Sequence, residues 1–138
     1  MTQEDKALLY KDLCARLPYG VVLDSPNPVD DLWDEAISID ASTKTVTLLY
    51  NERVFSIDEV KPYLLPLSSM TEEQKKYITD RWGINEEFDF EINPDWGEYF
   101  VELGDAVDFI DWLNKNHLDY RGLIEKGLAI DATGLNIY

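Results

Sequence analysis

The residues with most chemical potential in this chain are its carboxylates, one histidine and one cysteine. Asp89, Glu91, Asn93 and Asp95 alternate like the first ligands of a twelve-residue calcium loop, whose oxygens converge on one ion. The pattern then fails: Pro94 stands where that loop needs glycine, and Phe100 where it needs a bidentate glutamate. Asp30, Asp31, Asp34 and Glu35 form a second cluster without any recognised ligand spacing. Two carboxylates about 5 to 9 Å apart across a cleft could act on a substrate as acid and base. With 28 Asp and Glu in 138 residues such pairs arise by chance, and solvated faces account for them with fewer assumptions. His117 is the sole histidine, which excludes two-histidine metal sites and histidine-pair catalysis; placed after a helix end, its imidazolium would be stabilised by the helix dipole. Cys14 falls on an apolar stripe, where it would pack as a small hydrophobe, and a single cysteine makes neither an internal disulfide nor a multi-cysteine zinc site. There is no phosphate loop, dinucleotide fingerprint, nucleophile elbow or His-Glu-x-x-His motif. No catalytic, cofactor-binding or metal-ligating residue is assigned.

The acids act together. Twelve Lys and Arg against 28 Asp and Glu leave a formal charge of −16. Affinity for a phosphate backbone is built largely from Lys and Arg, so no direct nucleic-acid binding and no membrane binding are expected. The excess is confined to two stretches: residues 24–40 carry −6 and residues 80–111 carry −10. Physiological salt screens charge over about 8 Å, less than the roughly 14 Å radius of gyration of such a chain. Local density therefore matters more than the total. Asp105, Asp108 and Asp111 recur at three-residue steps, opposite the apolar stripe of a helix, where like charges cost stability. Glu98 and Glu102 precede them, and Asp89 and Glu91 would point outward from an adjacent hairpin. Trp96 in the hairpin turn, and Trp33 beside the first acidic stretch, have the composition of interface anchors unless both are half buried in a small core.

These residues must be positioned by a small set of elements. Thr2 and Asp5 begin a helix over about 3–16, with Ala7, Leu9, Tyr10, Leu13, Cys14 and Leu17 on its apolar stripe; Pro18 and Gly20 end it. Gly20 to Leu23 is short and β-branched, and residues 36–40, 45–50 and 54–55 read as an antiparallel meander. Ser56-Ile-Asp-Glu59 gives one helical turn before Pro62, and Pro62 with Pro66 reads as a stiff connector. Ser69 or Thr71 caps a second helix through Trp82, stopped by Gly83. Phe88 to Ile92 and Glu98 to Leu103 alternate as a hairpin around Asn93-Pro-Asp-Trp-Gly. A third helix runs from Gly104-Asp105 to about Asn116, with Asp105 as cap and Ala106, Phe109, Ile110 and Leu113 inward. A turn or short helix over 120–126 and a strand over 128–130 finish the chain.

The expected fold is α+β: one domain over residues 1–138, a small antiparallel meander with hairpins that could close as an SH3-like barrel, packed by about three helices. Any subdivision falls between 1–68, a helix with the meander, and 69–138, helices with the hairpin. No stretch approaches 18 consecutive apolar residues, the first residues are polar and acidic, and the lone cysteine suits a reducing cytoplasm.

Residues 7–21 (Ala-Leu-Leu-Tyr-Lys-Asp-Leu-Cys-Ala-Arg-Leu-Pro-Tyr-Gly-Val), 61–73 (Lys-Pro-Tyr-Leu-Leu-Pro-Leu-Ser-Ser-Met-Thr-Glu-Glu) and 111–129 (Asp-Trp-Leu-Asn-Lys-Asn-His-Leu-Asp-Tyr-Arg-Gly-Leu-Ile-Glu-Lys-Gly-Leu-Ala) resemble segments of a family of small hypothetical proteins of gut Bacteroidales, their prophages and mobile elements. The resemblance implies a bacterial or phage cytoplasmic protein and brings no activity or site residue with it. Most of the excess charge lies outside the matching segments.

The expected function is a non-enzymatic acidic module that engages a basic protein surface through Asp89, Glu91, Trp96, Glu98, Glu102, Asp105, Asp108 and Asp111. The alternatives are a nucleic-acid mimic that occupies the groove of a host enzyme, a carboxylate or divalent-metal hydrolase, and a structural protein, with a homodimer as one arrangement.

Overall fold

The computed structural model describes residues 1–26, 33–50, 53–83 and 103–138, with side chains in the last span from residue 106. Helix α1 spans Gln3–Arg16. Thr2 Oγ1 accepts the Asp5 amide at 3.0 Å, and the Asp5 carboxylate accepts the Thr2 amide at 3.3 Å, so the capping signal operates as expected. A 3-10 turn, Leu17–Tyr19, closes on Gly20 at φ 79°. A side chain there would be strained twice, by the left-handed backbone and by the Glu35 carboxylate 2.7 Å from the added carbon.

Strands β1 (Val22–Asp24), β2 (Asp34–Asp40), β3 (Thr45–Leu48) and β4 (Val54–Ser56) pair antiparallel in sequence order, so the meander is present. In β2 the register shifts between Ala36 and Ser38. That one-residue bulge lets Ala36 and Ile39, an odd number apart, both face the core while Ile37 is left at the surface. The Asp40 carboxylate accepts the amides of Ser42 and Thr43 and the Ser42 hydroxyl, which closes the β2–β3 turn. These hydrogen bonds hold the Asp40 carboxyl below the usual carboxylate range.

The segment read as a stiff connector is instead strand β5, Lys61–Pro66, next to β1 in the sheet. Proline is excluded only where its missing N–H would have to donate to a ladder. Here Pro62, opposite Leu23, and Pro66, opposite Asp119, lie near the two ends of the strand, while Leu65 N and Leu64 O between them make bonds to the last part of the chain. Two short parallel strands, β6 (Leu118–Asp119) and β7 (Ile130–Asp131), lie against β5, where Leu65 N donates to His117 O and Ala132 N donates to Leu64 O, both at 2.8 Å. The strand order β4-β3-β2-β1-β5-β6, with β7 also on β5, is an open sheet, so the α+β class holds and the described strands do not close as an SH3-like barrel.

Helix α2, Glu72–Trp82, is capped reciprocally by Thr71 and Gln74 and stopped by Gly83 at φ 72°. Helix α3 spans Leu103–Lys115, so Asp105 is its third residue and not its cap, and Leu103 is helical where the sequence read a strand end. The rest of the expected hairpin lies outside the described residues. Residues 120–126 form turns without a helix because the Asp119 carboxylate accepts the Leu123 and Ile124 amides, at 2.9 and 3.0 Å, and closes a loop.

Two apolar clusters result. The first joins Leu9 and Leu13 of α1 to the inner faces of β1–β5, and closes with Leu123, Leu128 and Ala129 from the far end of the chain. The second joins Met70 and Ile78 to Phe109 and Leu113 of α3, with Leu118 and Tyr120. Between them runs a polar chain. Asp12 and Arg16 are both fully buried and pair at 2.8 Å, and Arg121 Nε reaches the other Asp12 oxygen at 3.1 Å. Arg16 Nη2 donates to Leu118 O at 2.7 Å, Arg121 Nη2 to the Tyr120 hydroxyl at 2.9 Å, and that hydroxyl to Asn114 Oδ1 at 2.9 Å. The Tyr120 ring faces both guanidinium groups, at 5.3 Å for Arg16 and 4.8 Å for Arg121.

The ion pair also explains the rotation of α1. A stripe drawn through apolar residues alone puts Cys14 inside, but the buried face runs through Leu9, Asp12, Leu13 and Arg16, and Cys14 is exposed. Removing Asp12 leaves two buried or part-buried guanidinium groups facing an empty position. Asp12→Ala is therefore expected to lower unfolding free energy by about 3 to 5 kcal/mol, as much as Leu13→Ala at roughly 2 to 5 kcal/mol, both read from urea titrations. A loss below about 1 kcal/mol for Asp12→Ala would show that the ion pair does not hold the fold.

Candidate functional site

Helix α3 carries the described part of the candidate surface. Its inner face is the expected one: Phe109 and Leu113 are buried and Ala106 and Ile110 half-buried. Asp108 and Asp111 are exposed on the other side, as their spacing predicted. Asp105 shares the helix one step earlier. Asp89, Glu91, Trp96, Glu98 and Glu102 lie outside the described residues, as does the calcium-like run from Asp89 to Asp95. Asp108 faces Arg81 of α2 at 3.7 Å, with side chains 59% and 47% exposed. That is a loose, solvent-screened pair, of the kind that contributes under about 1 kcal/mol.

Two acids of the first stretch, Asp34 and Asp40, have structural tasks. Asp34 is buried, and its Oδ1 accepts the amides of Glu35 and Tyr50, each at 2.9 Å. Asp40 closes the turn already described. An open groove of about 710 Å³ on the outer face of the meander is lined by hydroxyls of Ser38, Thr43 and Thr45, with Asp40 as its acid. Among the described residues, no group of three or more His, Cys, Asp or Glu is placed to hold a metal ion.

Aromatic side chains supply what the acids lack. Trp33 is 45% exposed and meets Tyr63 edge-on at 6.1 Å, so it is half packed and half available. The larger assembly lies between α2 and α3. Phe109, at its buried end, lies under Trp82 at 5.2 Å and 67°. Trp82 meets Trp112 at 6.2 Å, and Tyr77 lies parallel to Trp112 at 5.7 Å and 14°. Tyr77 is 49% exposed. Arg81 places its guanidinium 5.2 Å from the Trp82 ring. Sequence reasoning that followed the acids missed this cluster; the signal was the recurrence of Tyr77 and Trp82 on one helix and Phe109 and Trp112 on the other.

The single histidine does not act as a cationic cap. His117 follows α3 at φ 61°, and its ring stacks on Tyr138 at 3.5 Å. The Tyr138 hydroxyl accepts Val22 N at 3.0 Å and donates to Tyr63 O at 2.7 Å, bridging β1 and β5 one residue beyond the Leu23–Pro62 pair. Burial pushes that hydroxyl up to about 12. Burial, reinforced by the Arg16 charge, lowers the His117 imidazole to about 4, so the ring is neutral near pH 7.

No protein family model, curated protein or solved structure matches the chain. Among the described residues no helix is long and apolar enough to cross a membrane.

A histidine that is neutral when folded and ordinary when unfolded lets the unfolded chain bind more protons between about pH 6.5 and about 4. Its contribution to stability is whole above that window and falls as pH drops through it. His117→Asn, which tolerates the same positive φ, should flatten the difference between urea midpoints measured at pH 7 and pH 5. An unchanged difference would contradict the lowered titration of His117.

Proposed function

We propose that this chain is a non-enzymatic binding protein that engages a basic partner surface, with the 80–111 stretch as its contact. One observation carries the reading: Asp108 and Asp111, within the stretch that holds −10, are exposed on α3, the helix whose Trp112 stacks on half-exposed Tyr77. A dense negative field attracts a basic surface over about a Debye length and accelerates encounter. Aromatic side chains then give short-range contact area that charge alone does not. Asp105 on the same helix, and Asp89, Glu91, Trp96, Glu98 and Glu102 before it, belong to the proposed contact through their place in the sequence. The proposed setting for this role, which rests on the resemblance of residues 7–21, 61–73 and 111–129 alone, is a bacterial or phage cytoplasmic protein.

The test is capture from bacterial lysate by the immobilised chain at low and high salt, against a variant carrying Asp105→Asn, Asp108→Asn and Asp111→Asn. The wild-type chain should retain basic proteins at low salt and release them at high salt, and the triple variant should retain roughly tenfold less. Equal retention by the triple variant would remove α3 from the contact.

A further inference from the structure

The ring cluster between α2 and α3 narrows the chemistry of the partner. We propose that exposed Tyr77, stacked on half-buried Trp112, and Asp108 form an arginine-recognition surface, which takes a guanidinium group from the partner; this rests on the basic-partner reading above. Tyr77 and Trp112 lie within 14° of parallel, Tyr77 is 49% exposed, and the exposed Asp108 stands one helical turn before Trp112 on α3. A planar, weakly hydrated guanidinium can lie on an aromatic face and still direct N–H groups sideways to an acid. An ammonium is a compact, strongly hydrated point charge and gains less from the ring.

An arginine of the chain already lies near this carboxylate. The Arg81 guanidinium lies 5.2 Å from the Trp82 ring centre and 3.7 Å from an Asp108 oxygen, placed between an aromatic and the same carboxylate. Its distance to Asp108 exceeds the 2.7 to 2.9 Å of a charge-assisted hydrogen bond. Asp108 therefore keeps capacity for a second guanidinium, and an incoming arginine competes with Arg81 for it. Asp111, three residues on and exposed, adds negative potential on the same helix. The −10 of residues 80–111 supplies charge complementarity to the occupant, an exposed arginine-rich protein segment.

The experiment uses the full chain with fluorescein-labelled oligo-arginine and oligo-lysine peptides of equal length, read by anisotropy at fixed low salt. The arginine peptide should bind about five- to tenfold tighter than the lysine peptide. Tyr77→Ala should abolish that preference while leaving lysine-peptide affinity within about twofold. Tyr77→Leu, which keeps apolar bulk against Trp112 and removes the π face, should do the same and guards against misfolding of the alanine variant. Arg81→Gln should tighten the arginine peptide more than the lysine peptide, because it removes the internal competitor. Equal, salt-sensitive affinity for both peptides, unchanged by either Tyr77 variant, would overturn the arginine site and leave the basic-partner reading standing. Absence of binding by both peptides at low salt would overturn both.

Discussion

Asp12 and Arg16 are charges withdrawn completely from water, and the molecule is arranged so that neither is alone. Each would cost several kcal/mol of lost solvation if unpaired, so their partners are obligatory. Asp12 needs both guanidinium groups, and Arg16 needs the carbonyl of Leu118 as well. Those requirements fix the rotation of α1, bring residues 118–121 against it, and hold Tyr120 where its hydroxyl reaches Asn114 at the end of α3. Apolar burial gives the two clusters most of their favourable free energy, but the ion pair determines how they sit against each other.

Helix α3 serves both sides of this arrangement. Asn114 belongs to the buried network, Phe109 and Leu113 to the second apolar cluster, and Asp108 and Asp111 to solvent. A helix held rigidly on its inner side presents its outer charges in a defined geometry. That lowers the entropy lost when a partner binds them. The Tyr77–Trp112 pair is held likewise, because α2 is capped at its start by Thr71 and Gln74 and anchored through Ile78 and Trp82.

Elements with strong local signals were legible in the sequence. Thr2 and Thr71 cap helices, Gly83 stops one, the β2–β4 meander pairs antiparallel as read, and Phe109 and Leu113 face inward. What escaped local reading depends on long-range partners. An apolar stripe has no means of showing that Asp12 and Arg16 are buried, so Cys14 was turned inward by mistake. Two prolines suggested a connector because nothing local shows that Tyr63, Leu64 and Leu65 find partners at 117–132. His117 looked like a cap because Tyr138, which stacks on it, is 21 residues away. For the candidate surface, the exposure of Asp108 and Asp111 followed from helical spacing, whereas the aromatic cluster required knowing that α2 and α3 lie side by side.

The position of β5 has a kinetic consequence. Its neighbours come from residues 22–24 on one side and 118–131 on the other, and the Asp12–Arg121 contact closes a loop of 109 residues. Local pieces such as the meander form quickly, but contacts this distant in sequence must wait for costly loop closures. On a ribosome adding about 5 to 20 residues per second, α1 and the meander emerge well before the segment that gives Arg16 the Leu118 carbonyl, gives Asp12 its second guanidinium and completes the first core. During that interval the edge of β5 that takes β6 and β7 is unpaired, and the net negative charge of the chain opposes association of such intermediates.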